Sequence, residues 1–274
     1  MNESGSGDSL GRFFDLLSLD MQGILISEIK AFFKTLEPIE LSEMSVDVLR
    51  RYEMDPDHAR KGLYMLHHEG KVAYVGKIDR SLFERLSEHR QKLHARQHID
   101  VRDVSFRCLY LDRNWSALAH ESGIIEENRI EGGCTWNNGG FGLHDPGRER
   151  DTTRLKQEHF DRRFPINPDF EVNLAPETRL VSDVLGRTKR SLPYLLRFET
   201  SKRARRCYES TQVTLPANPT AKSMLAAVVD ALGPAWQVSF LHGYAILYEE
   251  SKDYGQASCQ LFRRGGGVWR NPVP

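Results

Sequence analysis

Residues 62–76 read GLYMLHHEGKVAYVG. Two β-prone runs, Leu63-Tyr64-Met65-Leu66 and Val72-Ala73-Tyr74-Val75, flank a Glu69-Gly70 pair. Strand formers on both sides of a short turn-forming dipeptide predict a hairpin. Downstream, a helix is expected from about Arg80 to Gln97, a third strand from Val104 to Leu111, and another helix from Ser116 to Asn128. The glycine-rich stretch WNNGGFGLHDPG, residues 136–147, must be a loop. The order β-β-α-β-α predicts an α/β core of the α+β kind: a small mixed three-stranded sheet flanked by helices.

Upstream, Phe13, Leu16, Leu17, Met21, Ile24 and Ile29 recur near helical spacing, so 10–36 is expected to be helical. A second helix is expected over 42–54, capped by Ser42 and stopped by Pro56. Downstream, 148–219 is polar and proline-interrupted and reads as irregular. TAKSMLAAVVDALG, residues 220–233, reads as a capped helix ending at Gly233, followed by a hairpin over 237–248 and 256–263. Three regions are therefore expected. They are an N-terminal helical extension over 1–58, a core over 59–165, and a C-terminal α+β extension over 166–274.

Composition narrows the class. The 274 residues carry 38 basic and 38 acidic side chains, so any attraction to a polyanion must come from local patches. Hydrophobic residues make up 39% and charged residues 28%, which fits a globular domain and not a disordered one. No apolar run approaches the roughly 20 residues needed to span a bilayer. The opening MNESGSGDSL lacks the basic start and apolar centre of a signal peptide, so a cytoplasmic location without a membrane is expected. Cys108, Cys134, Cys207 and Cys259 are too scattered for a zinc site or a disulfide framework, and free thiols are expected.

Candidate chemistry lies on the two helices after the hairpin. In the first, Leu82, Leu86 and Leu93 share one face, while Arg85, His89, Lys92 and Arg96 share another. That second face either presents cations and an imidazole to a ligand or is simply solvated. In the second, Glu121 sits between Leu118 and Ile125 on an apolar stripe. A core-facing carboxylate is costly unless paired or bound to a metal, so Glu121 is either a metal ligand or half of a buried salt bridge, with Arg85 as a partner. Tyr64 and Tyr74 lie in strands, where packing alone could explain them.

Taken together, these residues resemble the GIY-YIG nuclease family. GLY at 62–64 and YVG at 74–76 resemble its paired signature. Arg85 with His89 resembles its helix, Glu121 followed by Ile124 and Ile125 its metal-binding segment, and Trp136-Asn137 its closing Asn. Gly140-Phe141-Gly142 and His144-Asp145-Pro146-Gly147 are similar to a type II restriction endonuclease branch. The resemblance covers roughly 60–165. Leu63 departs from the signature isoleucine, and the gap from Glu121 to Asn137 is longer than in relatives such as the excision-repair nuclease, which leaves Asn138 as an alternative to Asn137.

The resemblance implies a bacterial enzyme that hydrolyses phosphodiester bonds of double-stranded DNA at a specific site. It implies one divalent ion, magnesium or manganese, on Glu121. Arg85 would stabilise transition-state charge, Tyr64 would orient or deprotonate water, and Tyr74 would position the phosphate. His89 would hydrogen-bond Tyr64 or shuttle a proton, Lys77 would help Arg85 lower the Tyr64 pKa, and Asn137 would hold the site together. The branch further implies a GC-rich palindrome such as CCGCGG, hence a homodimer, and a cognate DNA methyltransferase. Other readings are a repair or mobile-element nuclease, or a non-catalytic DNA-binding module.

For DNA contact, Lys92 and Arg96 are candidates on the first helix. A denser patch spans 187–206, where Arg187, Lys189, Arg190, Lys202, Arg203, Arg205 and Arg206 are accompanied by Glu199 as the sole acid. Such a composition suits phosphate tracking or, alternatively, a solvated segment.

Overall fold

A computed structural model describes residues 21–111, 121–130, 132–137, 139–142 and 145–262. The expected N-terminal helix is seen from Met21 to Thr35 (α1), and its earlier residues lie outside the described part. Ile39–Glu40 (β1) leads to Glu43–Glu53 (α2). Ser42 caps α2 as expected, and the Ser45 side chain reciprocates by accepting from the Ser42 backbone.

The hairpin is Gly62–His68 (β2) and Lys71–Ile78 (β3). Glu69 and Gly70 occupy its two-residue turn at φ 53° and 72°, which matches the twist of the flanking strands. Leu82–His94 (α3) crosses to Val104–Tyr110 (β4), and Glu121–Ile130 (α4) follows. The sheet runs β1-β4-β2-β3 and is antiparallel throughout. A mixed three-stranded sheet was the expectation. Instead, α3 returns the chain so that β4 pairs with β2 antiparallel, and the N-terminal segment adds a fourth short strand.

Alternation along β2 and β3 sends side chains to two cores. Tyr64, Leu66, Leu82, Leu86, Leu93, Phe106, Trp136 and Phe141 fill the side facing α2 and α3. Leu63, Met65 and Val75 pack on the other side with Ile124 of α4 and with Ile26, Ile29 and Phe33 of α1. The N-terminal extension is thus integrated with the sheet on both faces.

The outer edge of β3 is covered by a loop and not by a strand. Cys134 N donates to Val72 O and Trp136 N to Ala73 O, and the Asn137 amide continues the line. This blunts an edge that would otherwise offer unpaired backbone groups.

The segment that reads as irregular is more ordered than its composition implies. After Phe160–Arg163 (α5) come Thr178–Leu180 (β5), Val181–Ser191 (α6), Leu195–Phe198 (β6), Lys202–Ser210 (α7) and Gln212–Thr214 (β7). Val181, Val184, Leu185 and Thr188 form the buried stripe of α6. Ala221–Leu232 (α8) is capped by Thr220 and ends at Gly233, as expected. A hairpin over 237–248 and 256–263 was the expectation; instead the hairpin is Trp236–Phe240 (β8) with Tyr244–Glu249 (β9). Cys259–Phe262 (β10) pairs with β8, which gives a second sheet, β10-β8-β9-β6, with β6 parallel to β9. Its core of α6, α8 and the sheet is separate from the two cores of the first sheet. The four cysteines are free. Among the described residues, no helix is long and apolar enough to cross a membrane.

Candidate active site

β2, β3 and α3 bring Tyr64, Tyr74, Arg85 and His89 together. Tyr64 lies opposite Gly76 across the hairpin. A Cβ on Gly76 would sit 2.3 Å from the Tyr64 hydroxyl and ring, so only glycine lets that ring lie flat on β3. The final glycine of the YVG triplet is thereby explained by packing against the first tyrosine.

Tyr64 is fully buried, and its Oη lies 2.7 Å from His89 Nε2. Arg85 Nε donates to the same oxygen at 3.4 Å, and Arg85 also pairs with Glu88 at 3.0 Å. Tyr74 meets His89 edge-on at 5.5 Å between ring centroids. Burial pushes the Tyr64 phenol above its ordinary pKa, nearby Tyr74 adds to this, and Arg85 opposes it. Burial, with the Arg85 and Lys92 cations, pushes His89 well below the usual imidazole range. The pair is therefore a neutral phenol hydrogen-bonded to a neutral imidazole.

α3 is aimed by a residue that sequence reasoning missed. Glu53, at the end of α2, accepts from Leu82 N at 2.9 Å, Phe83 N at 3.2 Å, Ser81 Oγ at 2.5 Å and Tyr110 Oη at 2.8 Å. A carboxylate at a helix N-terminus satisfies orphan donors and the helix dipole together. Nothing local in the sequence marks it, because its partners are about 30 or more residues away. Phe141 was likewise only part of a resemblance. Its ring stacks on His89 at 4.7 Å and abuts Tyr74 at 5.0 Å.

Asn137 bridges the loop to β3. Its Oδ1 accepts from Val75 N at 2.9 Å and its Nδ2 donates to Val75 O at 2.8 Å. Asn138, the alternative, lies outside the described residues. Glu121 opens α4, four residues before Ile125, which lines the cleft beside Tyr74. The Glu121 side chain lies outside the described part, as do Leu118 and His144. Among the described residues, no group of three or more His, Cys, Asp or Glu could cage a metal.

Lys77 is not brought to Tyr64. It alternates with Gly76 and shares the face of Leu63 and Val75, where it pairs with Asp79 at 3.6 Å. Strand periodicity is the reason: one residue past Gly76 points the other way.

Lys92 and Arg96 also differ from expectation. Both are buried, at 3% and 6% exposure, because Phe141, Asp161, Phe164 and His242 close over that face of α3. Lys92 Nζ donates to Phe141 O, and Arg96 pairs with Asp161 at 2.8 Å. They face a cleft of about 1000 Å³ between the two sheets, lined also by Tyr74, Asn137, Tyr194 and His242. By contrast, Arg187, Lys189 and Arg190 on α6 and Lys202, Arg203, Arg205 and Arg206 on α7 are exposed. Arg187 pairs with Asp183 and Arg203 with Glu249. Arg197, in the same basic run, is instead tied inward to Asp145, Asp151 and Tyr248.

Residues 60–164 match the family model of the Eco29kI GIY-YIG domain. No curated protein matches the chain.

Proposed function

We propose that this protein, whose residues 60–164 form a GIY-YIG nuclease domain of the Eco29kI kind, is a type II restriction endonuclease cutting double-stranded DNA at a specific site. The observation that carries the reading is the convergence of Tyr64, Arg85 and His89 on one phenol oxygen, with Tyr74 beside them at the cleft.

Magnesium or manganese is the proposed ion. One carboxylate suffices for such an ion when water and phosphate oxygens complete its shell, and the cleft of about 1000 Å³ beside Tyr74 leaves room for them. Glu121 is the proposed ligand. Bound there, the ion would offset charge on the phosphate and acidify water.

The remaining steps belong to the chain. Arg85 presents a planar set of donors to phosphate oxygens as negative charge builds. Tyr64 orients the attacking water. His89 shares a hydrogen bond with the phenol through Nε2 and so holds that hydroxyl in place beside Arg85. Tyr74 positions the phosphate, and Asn137 fixes the strand that carries Tyr74. The exposed cations of α6 and α7 track the DNA backbone. Cutting both strands of a palindrome, of which CCGCGG is the proposed form, calls for a two-fold homodimer. A methyltransferase would protect the same sequence in a bacterial cytoplasm.

The test is cleavage of supercoiled plasmid by the purified protein with and without magnesium. Linear product with fixed ends, lost in Glu121→Gln while DNA binding is retained, is the expected result. Magnesium-dependent cutting by Glu121→Gln would refute the ligand, and a requirement for other proteins would favour a repair nuclease.

A further inference from the structure

The cation-bearing face of α3 ends in a side chain that the proposed chemistry does not use. Lys92 is 3% exposed, and its ammonium faces the carbonyls of Phe141 and Gly142, the latter at 3.4 Å. It also sits over two aromatic rings, 4.9 Å from the Phe141 centroid and 5.5 Å from that of Phe160. Placing an amine so deep is costly unless its donors are met. Here the acceptors are backbone carbonyls of one loop, so the interaction fixes that loop against α3.

The same loop residue bears on the reacting groups. Phe141 stacks on His89 at 4.7 Å, one turn back along α3, and meets Tyr74 edge-on at 5.0 Å. The backbone of Phe141 is therefore held by one α3 residue while its ring braces another.

We infer that Lys92 is a positioning residue of the hydrolytic centre, which anchors the Phe141 carbonyl so that the Phe141 ring holds His89 against Tyr64. The inference rests on the nuclease reading above. It reassigns Lys92 from DNA contact to site geometry. Several groups surround the amine. Arg96 and Arg85 disfavour its charge, Asp161 favours it, and burial dominates, which pushes Lys92 down to about 7. His89, neutral under the same burial, faces it from one turn away on α3.

The test compares Lys92→Met, which keeps the aliphatic stem and removes the donors, with Phe141→Leu and the double variant. Single-turnover cleavage should slow about ten- to a hundredfold in each single variant, as small misplacements of reacting groups do. The DNA dissociation constant and its salt slope should stay unchanged. The double variant should be no slower than the slower single one, since both remove the same support. In parallel, the His89 imidazole resonance in a carbon–proton NMR spectrum should move in Lys92→Met, because the stacked ring is freed. Weakened DNA binding with an unmoved His89 resonance would overturn the inference and return Lys92 to the DNA surface. Independent, multiplicative losses in the double variant would also overturn it. Should the wild-type protein fail to cut DNA, the nuclease reading falls, and the His89 resonance alone decides whether Lys92 sets the imidazole's surroundings.

Discussion

Tyr64 Oη and His89 Nε2 lie 2.7 Å apart in the protein interior, and Arg85 Nε approaches the same phenol oxygen at 3.4 Å. A guanidinium can only donate, so the phenol oxygen accepts from Arg85 while it shares a second, shorter hydrogen bond with the imidazole. If His89 holds that hydroxyl for the reaction, His89→Gln should reduce the single-turnover rate by about ten- to a hundredfold, as small misplacements of reacting groups do. DNA affinity, measured by fluorescence anisotropy, should stay within error of wild type.

Gly76→Ala should damage the same centre through packing. The added Cβ would lie 2.3 Å from the Tyr64 ring and hydroxyl, and Tyr64 is fully buried with no room to yield. A loss of about 1–3 kcal/mol is expected from overpacking, together with a sharp drop in cleavage. Gly70→Ala is the control. It meets nothing within 4 Å but must adopt φ 72°, so it should cost about 1 kcal/mol and leave cleavage intact. Thermal melts and plasmid assays of the two variants separate these effects.

Stability should fall on acidification below neutrality. Burial, then the Arg107 cation, pushes His67 from an ordinary value of 6.5 down to about 4. The unfolded chain takes up that proton near 6.5 and the folded chain only near 4, so the stabilisation is complete above about 6.5 and lost as pH drops toward 4. His89 contributes in the same direction. His67 Nε2 has no hydrogen-bond partner among the described residues, so His67→Gln should flatten the pH dependence of the melting temperature between 4 and 6.5.

The α6–α7 surface should govern the salt dependence of binding. Lys202, Arg203, Arg205 and Arg206 are exposed on one helix. If all four neutralise phosphates, changing them to Ala should reduce the slope of log affinity against log salt by roughly three to four, since each contact contributes about 0.9. An unaltered slope would place the DNA elsewhere.

How much of this was visible in the chain depends on the range of the forces involved. The hairpin was legible because period-two alternation and the Glu69-Gly70 turn are local, and α2 and α8 because Ser42, Thr220 and Gly233 mark their ends. The grouping of Arg85 with His89 followed from a helix face, whereas the addition of Tyr64 came from the resemblance to a known family. The positions of Lys92 and Arg96 did not. Helical spacing gave their face correctly, but what covers that face is Phe141 and Asp161, about 49 and 65 residues away, and only the folded chain brings them there. Lys77 was misjudged for the opposite reason, since it neighbours Gly76 in sequence and alternation sends it across the sheet. α6 was hidden by its charge, although the spacing of Val181, Val184, Leu185 and Thr188 was there to be read.

The most direct measurement is single-turnover cleavage of a duplex oligonucleotide by wild type and Tyr64→Phe, at saturating enzyme and magnesium across pH 6–9. The phenylalanine keeps the ring over Gly76 and removes only the hydroxyl shared by His89 and Arg85. A fall of roughly a hundredfold or more, with unchanged affinity, is predicted if that oxygen activates the attacking water. Cleavage by Tyr64→Phe at close to the wild-type rate would contradict the account and reduce Tyr64 to a packing residue.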